Sequence, residues 1–494
     1  MWANLLIGLQ EALTWKNLGL MFLGTIWGFI GGALPGIQAS TAMALILPFT
    51  FAMEPGGALM MLAAVYVSAE YSHSVPAILI NTPGTSAAVV TTFDGYPLQQ
   101  QGKGGKALSV SLYGGFIGQI IGTILLIALV IPLSNWALSF GPAEFFALGI
   151  FGLTLVASLG GGNIIKALMS GCFGLMIATV GFDLFTGSVR FTFGFPELID
   201  GVEPITVLVG LLAVSEIFAQ ARDARPVKRF MDKVSTTLVT WIEFRPLLFL
   251  ISWTSVLGLL IGALPGAGAT IASLIAYSEA KRWSRHPEKF GHGSLEGVAA
   301  PETANNSAIS GAMVPLLAFG IPGSASAAIM IAALMLHGIT PGPMLFENNQ
   351  EIVYGLFAAL FVASFMMLIM GWLSIKPLVW LVAMPKSVLL SCILALVIVG
   401  VYTHNSSVFD IGAVLLFGVI GYLMNRYGFS PPACVLGFVL GPMIELSFRR
   451  SLILSDGSLW IFGERPIALI LLVVAALTFA VPFFRRVKEI SKSS

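Results

Sequence analysis

Four short blocks rich in proline, glycine and hydroxyl residues interrupt an otherwise apolar chain of 494 residues. The first is Gly32-Ala33-Leu34-Pro35-Gly36, followed by Gln38, Ser40 and Thr41. The second reads Asn81-Thr82-Pro83-Gly84-Thr85-Ser86. The third, Gly262-Ala263-Leu264-Pro265-Gly266, leads into Gly268 and Thr270, and the fourth is Pro322-Gly323-Ser324-Ala325-Ser326. Proline removes a backbone donor and glycine loosens the backbone, so each block breaks a helix. Amides and carbonyls freed inside a bilayer need partners. A solute or ion is such a partner, and the N-terminus of a half-helix offers amides and a positive dipole end to an anion. A single Pro-Gly is ordinarily a kink or a close helix crossing. Four blocks paired by a repeat favour binding. The candidate solute contacts are Pro35, Gly36, Ser40, Thr41, Asn81, Thr82, Pro83, Gly84, Thr85, Gly266, Gly268, Thr270, Pro322, Gly323 and Ser324.

Charged residues next to these blocks carry two readings. In Glu302-Thr303-Ala304-Asn305-Asn306-Ser307, Glu302 either caps a helix at the cytoplasmic surface or holds a cation with Asn305 and Asn306 as neutral oxygen ligands. Glu70 and His73 read as a satisfied polar pair, with a proton relay as the alternative. Asp94 and Asp183 are expected in loops, and Arg190 in a loop ion pair unless it meets an anion. Enzyme signatures are missing: the chain has no H-E-x-x-H, no P-loop and no CxxC pair. Cys172, Cys392 and Cys434 are isolated in apolar runs and suggest neither disulfides nor a metal site. No cofactor is implied, and without an ATP-binding motif uptake must run on a Na⁺ or H⁺ gradient or on a partner that hydrolyses ATP.

The elements that position these blocks must lie in a membrane. The chain is 57% hydrophobic and only 10% charged, too few charges to cover a water-facing surface. The net charge of +1 gives no reason to expect nucleic acid. Apolar runs long enough to cross lie near 107–132, 143–160, 164–181, 204–221, 353–375, 387–403, 409–424, 432–447 and 466–484. With the interrupted regions 18–99 and 248–337 the total is roughly 12–14 crossings. Residues 1–17, lacking the basic start and small-residue cleavage site of a signal peptide, read as an interfacial amphipathic helix with Trp2 and Trp15 near the lipid headgroups.

Two blocks repeat. Gly32 to Gly36 recurs at an offset of 230, and Val75-Pro76 and Pro83-Gly84 recur as Val314-Pro315 and Pro322-Gly323 at an offset of 239. The chain therefore divides into repeat one (18–235), repeat two (245–464) and a further span with a basic cytoplasmic tail (465–494). Basic residues near span ends stay cytoplasmic. The cluster at 222–229, Lys281-Arg282-Trp283-Ser284-Arg285, the tail and, more weakly, Lys103 and Lys106 mark that side. Loops 182–203 and 337–352 then face outside, although Arg449, Arg450 and Arg465 fall on the same side and strain the rule. Equivalent loops differ in sign between the halves: Glu54-Pro55-Gly56-Gly57 against the 281–289 cluster, and Lys103 with Lys106 against Glu347 with Glu351. The expected fold is thus an all-α polytopic membrane protein of two inverted-topology repeats with Pro-Gly-broken helices or hairpins.

At these residues the chain resembles the large membrane subunit of tripartite tricarboxylate transporters. The stretches that carry the resemblance are GALPGIQASTAMALILPFTF (32–51), PAILINTPGTSAAVVTTFDGYPL (76–98), GFDLFTGSVRFTFGFPELIDGV (181–202), APETANNSAISGAMVPLLAFGIPGSASAAI (300–329) and VLGFVLGPMIELSFRRSLILSDG (435–457). One departure stands out: Ser72-His73 replace a Gly-Gly pair frequent in the family. The resemblance implies a multi-pass protein of the bacterial inner membrane that works with a small membrane subunit and a periplasmic solute-binding protein. It implies gradient-driven uptake of small organic anions, di- or tricarboxylates such as citrate. A stand-alone carrier and an intramembrane enzyme acting on lipid-linked substrates are the rival readings; the scattered histidines speak against the enzyme.

Overall fold

The computed structural model describes residues 2–34, 36–159, 163–183, 185–222, 237–266, 268–382 and 386–493. Nearly every apolar run is a helix. An opening helix α1 (Trp2–Ala12) seats on a later one, and α2 (Trp15–Ala33) leads to the first break. Then follow α3 (Ala39–Thr50), α4 (Pro55–Ser72), the short α5 (Ser74–Ile80) and α6 (Ala88–Gln100). Next come α7 (Gly104–Ala137), α8 (Pro142–Leu159), α9 (Ile164–Ala178) and α10 (Pro204–Arg222), the last π-helical over Val209–Val214.

The second half begins with α11 (Trp241–Gly262), α12 (Gly268–Trp283), α13 (Leu295–Phe319) and α14 (Ala325–Leu336). It continues with α15 (Gln350–Val382), α16 (Lys386–Asn405), α17 (Val408–Arg426), α18 (Pro431–Leu454) and α19 (Pro466–Ser493). Among the described residues six helices are long and apolar enough to cross a membrane: α7, α10, α11, the Gln350–Leu373 part of α15, α17 and α18. Shorter apolar helices, α3, α14 and much of α8, α9, α16 and α19, accompany them. The molecule is an all-α polytopic membrane protein. Among the described residues its one departure is a small antiparallel hairpin, β1 (Gly181–Phe182) with β2 (Val189–Arg190), in the 181–203 loop.

Helix α13 is the hub, packed against α7, α11, α12, α4, α6 and α14. Glycines set how close its neighbours come. A Cβ added at Gly258 or Gly262 of α11 would lie 2.4 Å from the Ala304 carbonyl oxygen or 2.5 Å from that of Ala308. In the first half Gly28 and Gly32 of α2 stand 2.5 and 2.2 Å, by the same measure, from the carbonyls of Val65 and Ala69 on α4. These glycines share the 230 offset and their partners the 239 offset. Helices without a hydrophobic drive between them associate through such close contacts. Cross-contacts also match: α7 of the first half packs on α13 of the second, and α15 of the second on α4 of the first.

Asp94 is not in a loop. It sits on α6 and is fully buried. Its Oδ1 accepts the amides of Gly291 (2.9 Å), Gly293 (2.9 Å) and Ser294 (2.7 Å), and its Oδ2 accepts the Tyr277 hydroxyl at 2.9 Å. One carboxyl from the first half thus folds the loop that leads into α13. Asp94→Ala leaves four donors without their acceptor, the buried Ser294 amide and Tyr277 hydroxyl among them, and is expected to cost roughly 3 kcal/mol, with Asp94→Asn milder. Denaturant unfolding in detergent checks this, and an unchanged midpoint would contradict it.

Candidate functional site

The four helix breaks form two bonded pairs. In the first half, the Gly36 amide donates to the Gly84 carbonyl at 3.1 Å. In the second, the Gly266 amide donates to the Gly323 carbonyl, also at 3.1 Å. The agreement extends to neighbouring atoms. Asn81 and Gly320 both end their helices in the left-handed region, with φ of 52° and 74°. The amides of Thr82 and Ile321 both return to the carbonyls of Pro76 and Pro315, each at 3.2 Å. The hydroxyls of Thr85 and Ser324 each accept from the amide three residues on, Ala88 and Ala327, at 3.3 and 3.1 Å. All these correspondences fall at the two sequence offsets.

Each break is followed by a helix N-terminus: α3, α6, α12 and α14 begin at residues 39, 88, 268 and 325. Four sets of first-turn amides therefore lie beside the Pro-Gly tips. The two pairs meet. Ser86 and Thr270, both exposed, share a hydrogen bond of 2.7 Å between the halves. Tyr66 on α4 reaches across to Ser324 at 3.0 Å. Asn81 is exposed, Thr82, Pro83, Thr85 and Gly268 are half-buried, and Gly84, Pro322 and Gly323 are buried. Ser40 and Thr41 are buried on α3, and Thr41 donates to the Leu212 carbonyl at 3.3 Å. Pro35 lies outside the described residues.

The cation-side candidates lie below the tips on α13. Glu302 is buried in mid-helix, so it does not cap a helix at the surface. It is held by Thr91 of α6 and by Ser111 of α7, the latter at 3.1 Å. Asn305 donates to the Glu70 carbonyl at 2.9 Å, and Asn306 donates back to the Glu302 carbonyl at 3.0 Å. The side-chain oxygens of both asparagines are buried without a partner. His73 joins the second tip to this layer, with Nδ1 3.2 Å from the Thr85 hydroxyl and 3.6 Å from Glu70. Sequence spacing had no way to select Tyr66, Thr91 and Ser111, because single hydroxyls in apolar helices are indistinguishable from helix glue.

Arg190 and Arg449 both enter one ion-pair cluster beside the 181–190 hairpin. Arg449 bonds Asp183 at 3.0 Å and Glu445 at 2.9 Å. Arg190 grips Glu445 at 2.7 Å, which occupies its fork. The Phe185 amide, followed by the Thr186 hydroxyl and Arg449, holds the Asp183 carboxyl well below the usual carboxylate range. Its stabilising contribution is therefore complete at neutral pH and is lost only on acidification below the ordinary value of 3.8. The cluster borders a cavity of about 500 Å³.

The sequence profile described as the Tripartite tricarboxylate transporter TctA family matches residues 18–436. An Agrobacterium vitis protein described as an uncharacterized 52.8 kDa protein in the TAR-I ttuC' 3' region is 38% identical over 472 residues, covering 96% of this chain and 94% of that protein. A second protein from that organism, described as uncharacterized in the TAR-II ttuC' 3' region, is 38% identical over 215 residues, 44% of this chain and 89% of its own. No solved structure matches.

The tip geometry is testable through its glycines. Gly266 has φ +83°, and an added Cβ would lie 2.4 Å from the Val156 Cα. Gly268 has φ +55° with nothing within 4 Å. Gly266→Ala is expected to destabilise more than Gly268→Ala, by about 2 kcal/mol. Thermal unfolding of the two variants measures this, and equal shifts would contradict the geometry.

Proposed function

Because the chain belongs to the tripartite tricarboxylate transporter TctA family, we propose that it is the large transmembrane subunit of a binding-protein-dependent secondary transporter in the bacterial inner membrane. Its cargo is a small organic anion, a di- or tricarboxylate such as citrate, and its driving force is a Na⁺ or H⁺ gradient. The observation that carries this reading is the pairing of the Pro-Gly tips, which leaves four helix N-termini beside two cross-bonded loops. First-turn amides complement carboxylate charge, and a di- or tricarboxylate has several groups to offer them. Gly36, Gly84, Thr85, Gly266, Gly268, Thr270, Gly323 and Ser324 supply the contacts in this reading, and Glu302, Asn305 and Asn306 serve the coupling ion. A periplasmic binding protein delivers the anion and a small membrane subunit completes the complex.

The halves are inverted repeats, 18–235 and 245–464, within 12–14 crossings. The matched contacts of α7 with α13 and of α15 with α4 support a pseudo-two-fold relation. Residues 1–17 lie at the interface, and 465–494 add a span and a cytoplasmic tail. In such an arrangement one half rocks against the other while the tips stay paired.

Two experiments test this. Proteoliposomes containing the chain with its two partner proteins should accumulate citrate or another carboxylate under an imposed ion gradient. Uptake without the partners would establish the stand-alone carrier, and no uptake with any acid would reject transport of this class. For the inversion, cysteines replace Glu54 and Arg285, which are exposed, whereas Gly56 is buried against Glu11. They should react with impermeant reagents from opposite sides, and same-side labelling would reject it.

A further inference from the structure

The seam between α4, α7 and α13 buries two carboxyl groups that no basic side chain balances. Glu302 is 1% exposed and Glu70 is 8% exposed. Among the described residues neither pairs with Lys or Arg; the ionisable neighbour of Glu70 is His73. Carboxyl groups at membrane depth pair, hold ions or carry protons, because a lone buried charge is costly.

Counting hydrogens discriminates among these. The Thr91 hydroxyl meets Glu302 Oε1. Glu302 Oε2 lies 3.1 Å from the Ser111 hydroxyl, which lies 2.9 Å from that of Ser74, which lies 2.8 Å from the Tyr71 carbonyl. These are four contacts, and the three hydroxyls bring three hydrogens. The Tyr71 carbonyl only accepts, so the Ser74 hydrogen goes to it and the Ser111 hydrogen goes to Ser74. The Thr91 hydrogen serves Oε1. With all four contacts made as hydrogen bonds, the hydrogen in the remaining one sits on Oε2 of Glu302.

The Tyr71 hydroxyl is fully buried without a hydrogen-bond partner and lies within electrostatic reach of Glu302. The other titratable groups facing the seam are Tyr66, Glu70, Tyr71 and His73, from α4 and its junction with α5, and Tyr113 from α7. Asp94 of α6 and Tyr277 of α12 are committed to each other and to the 291–294 loop. Lys106 of α7 is paired with Glu243 of α11, and α14 carries no titratable residue.

We propose that Glu302 is the coupling group of the transport cycle and that the ion it carries is a proton, held on Oε2 and donated to Ser111. This rests on reading the chain as a gradient-driven carrier. Loss of the proton removes the donor between α13 of one half and α7 of the other and leaves a charge close to Glu70. The contact between the halves therefore changes with protonation, which is what coupling requires.

Infrared difference spectroscopy of the full chain, wild type minus Glu302→Gln at pH 7, tests the proton directly. A carboxylic-acid carbonyl band that shifts in D₂O is expected. Ser111→Ala, which keeps the acid and removes its acceptor, should move that band to higher frequency. No difference band would overturn the assignment. With citrate as the probe in proteoliposomes of the whole complex, a pH gradient without Na⁺ should drive uptake. Glu302→Gln should lose net uptake and keep citrate exchange. Uptake that follows Na⁺ and ignores the pH gradient would also overturn it. The infrared band requires no solute: a band without uptake of any acid counts against the carrier reading alone, and uptake without a band against the proton alone.

Discussion

Every backbone amide and carbonyl within a bilayer has to find its partner inside the protein, and the paired tips are how this chain meets that demand where its helices break. The Gly36 and Gly266 amides are spent on the carbonyls of Gly84 and Gly323. That exchange fixes the rest of the local geometry. It brings two breaks of each half together, requires glycine where φ is +88° and +83°, and leaves the next helix of each break starting beside the pair. In the proposed reading, the binding place for the anion is a consequence of how the breaks are closed.

The same economy appears at the charges. Among the buried carboxyl groups, Asp94 is tied to backbone amides and Glu302 to hydroxyls. Beside the 181–190 hairpin, Asp183 and Glu445 pair with Arg190 and Arg449 in one cluster.

Much of the architecture was legible in the sequence. The run 107–132 becomes α7, and 432–447 lies within α18, because long apolar stretches in a membrane have few alternatives to helix. The two offsets carried over to individual hydrogen bonds, down to those accepted by the Thr85 and Ser324 hydroxyls. Asp94 and Glu302 were not legible, because their partners lie about two hundred residues away and a lone carboxylate does not announce whether it faces water. Thr41 shows the same limit: its hydroxyl stands where a solute contact was expected and is given instead to the Leu212 carbonyl. The 181–190 hairpin was missed because two-residue strands leave no periodic pattern.

The central claim is that the solute sits where the two tip pairs meet, and Thr270 marks that place from the second half. The most direct measurement is the alkylation rate of a Thr270→Cys variant in the assembled complex, with and without citrate or another transported carboxylate. The account predicts that the carboxylate slows the reaction in proportion to its occupancy. A rate unchanged by a carboxylate that the complex demonstrably transports would contradict it.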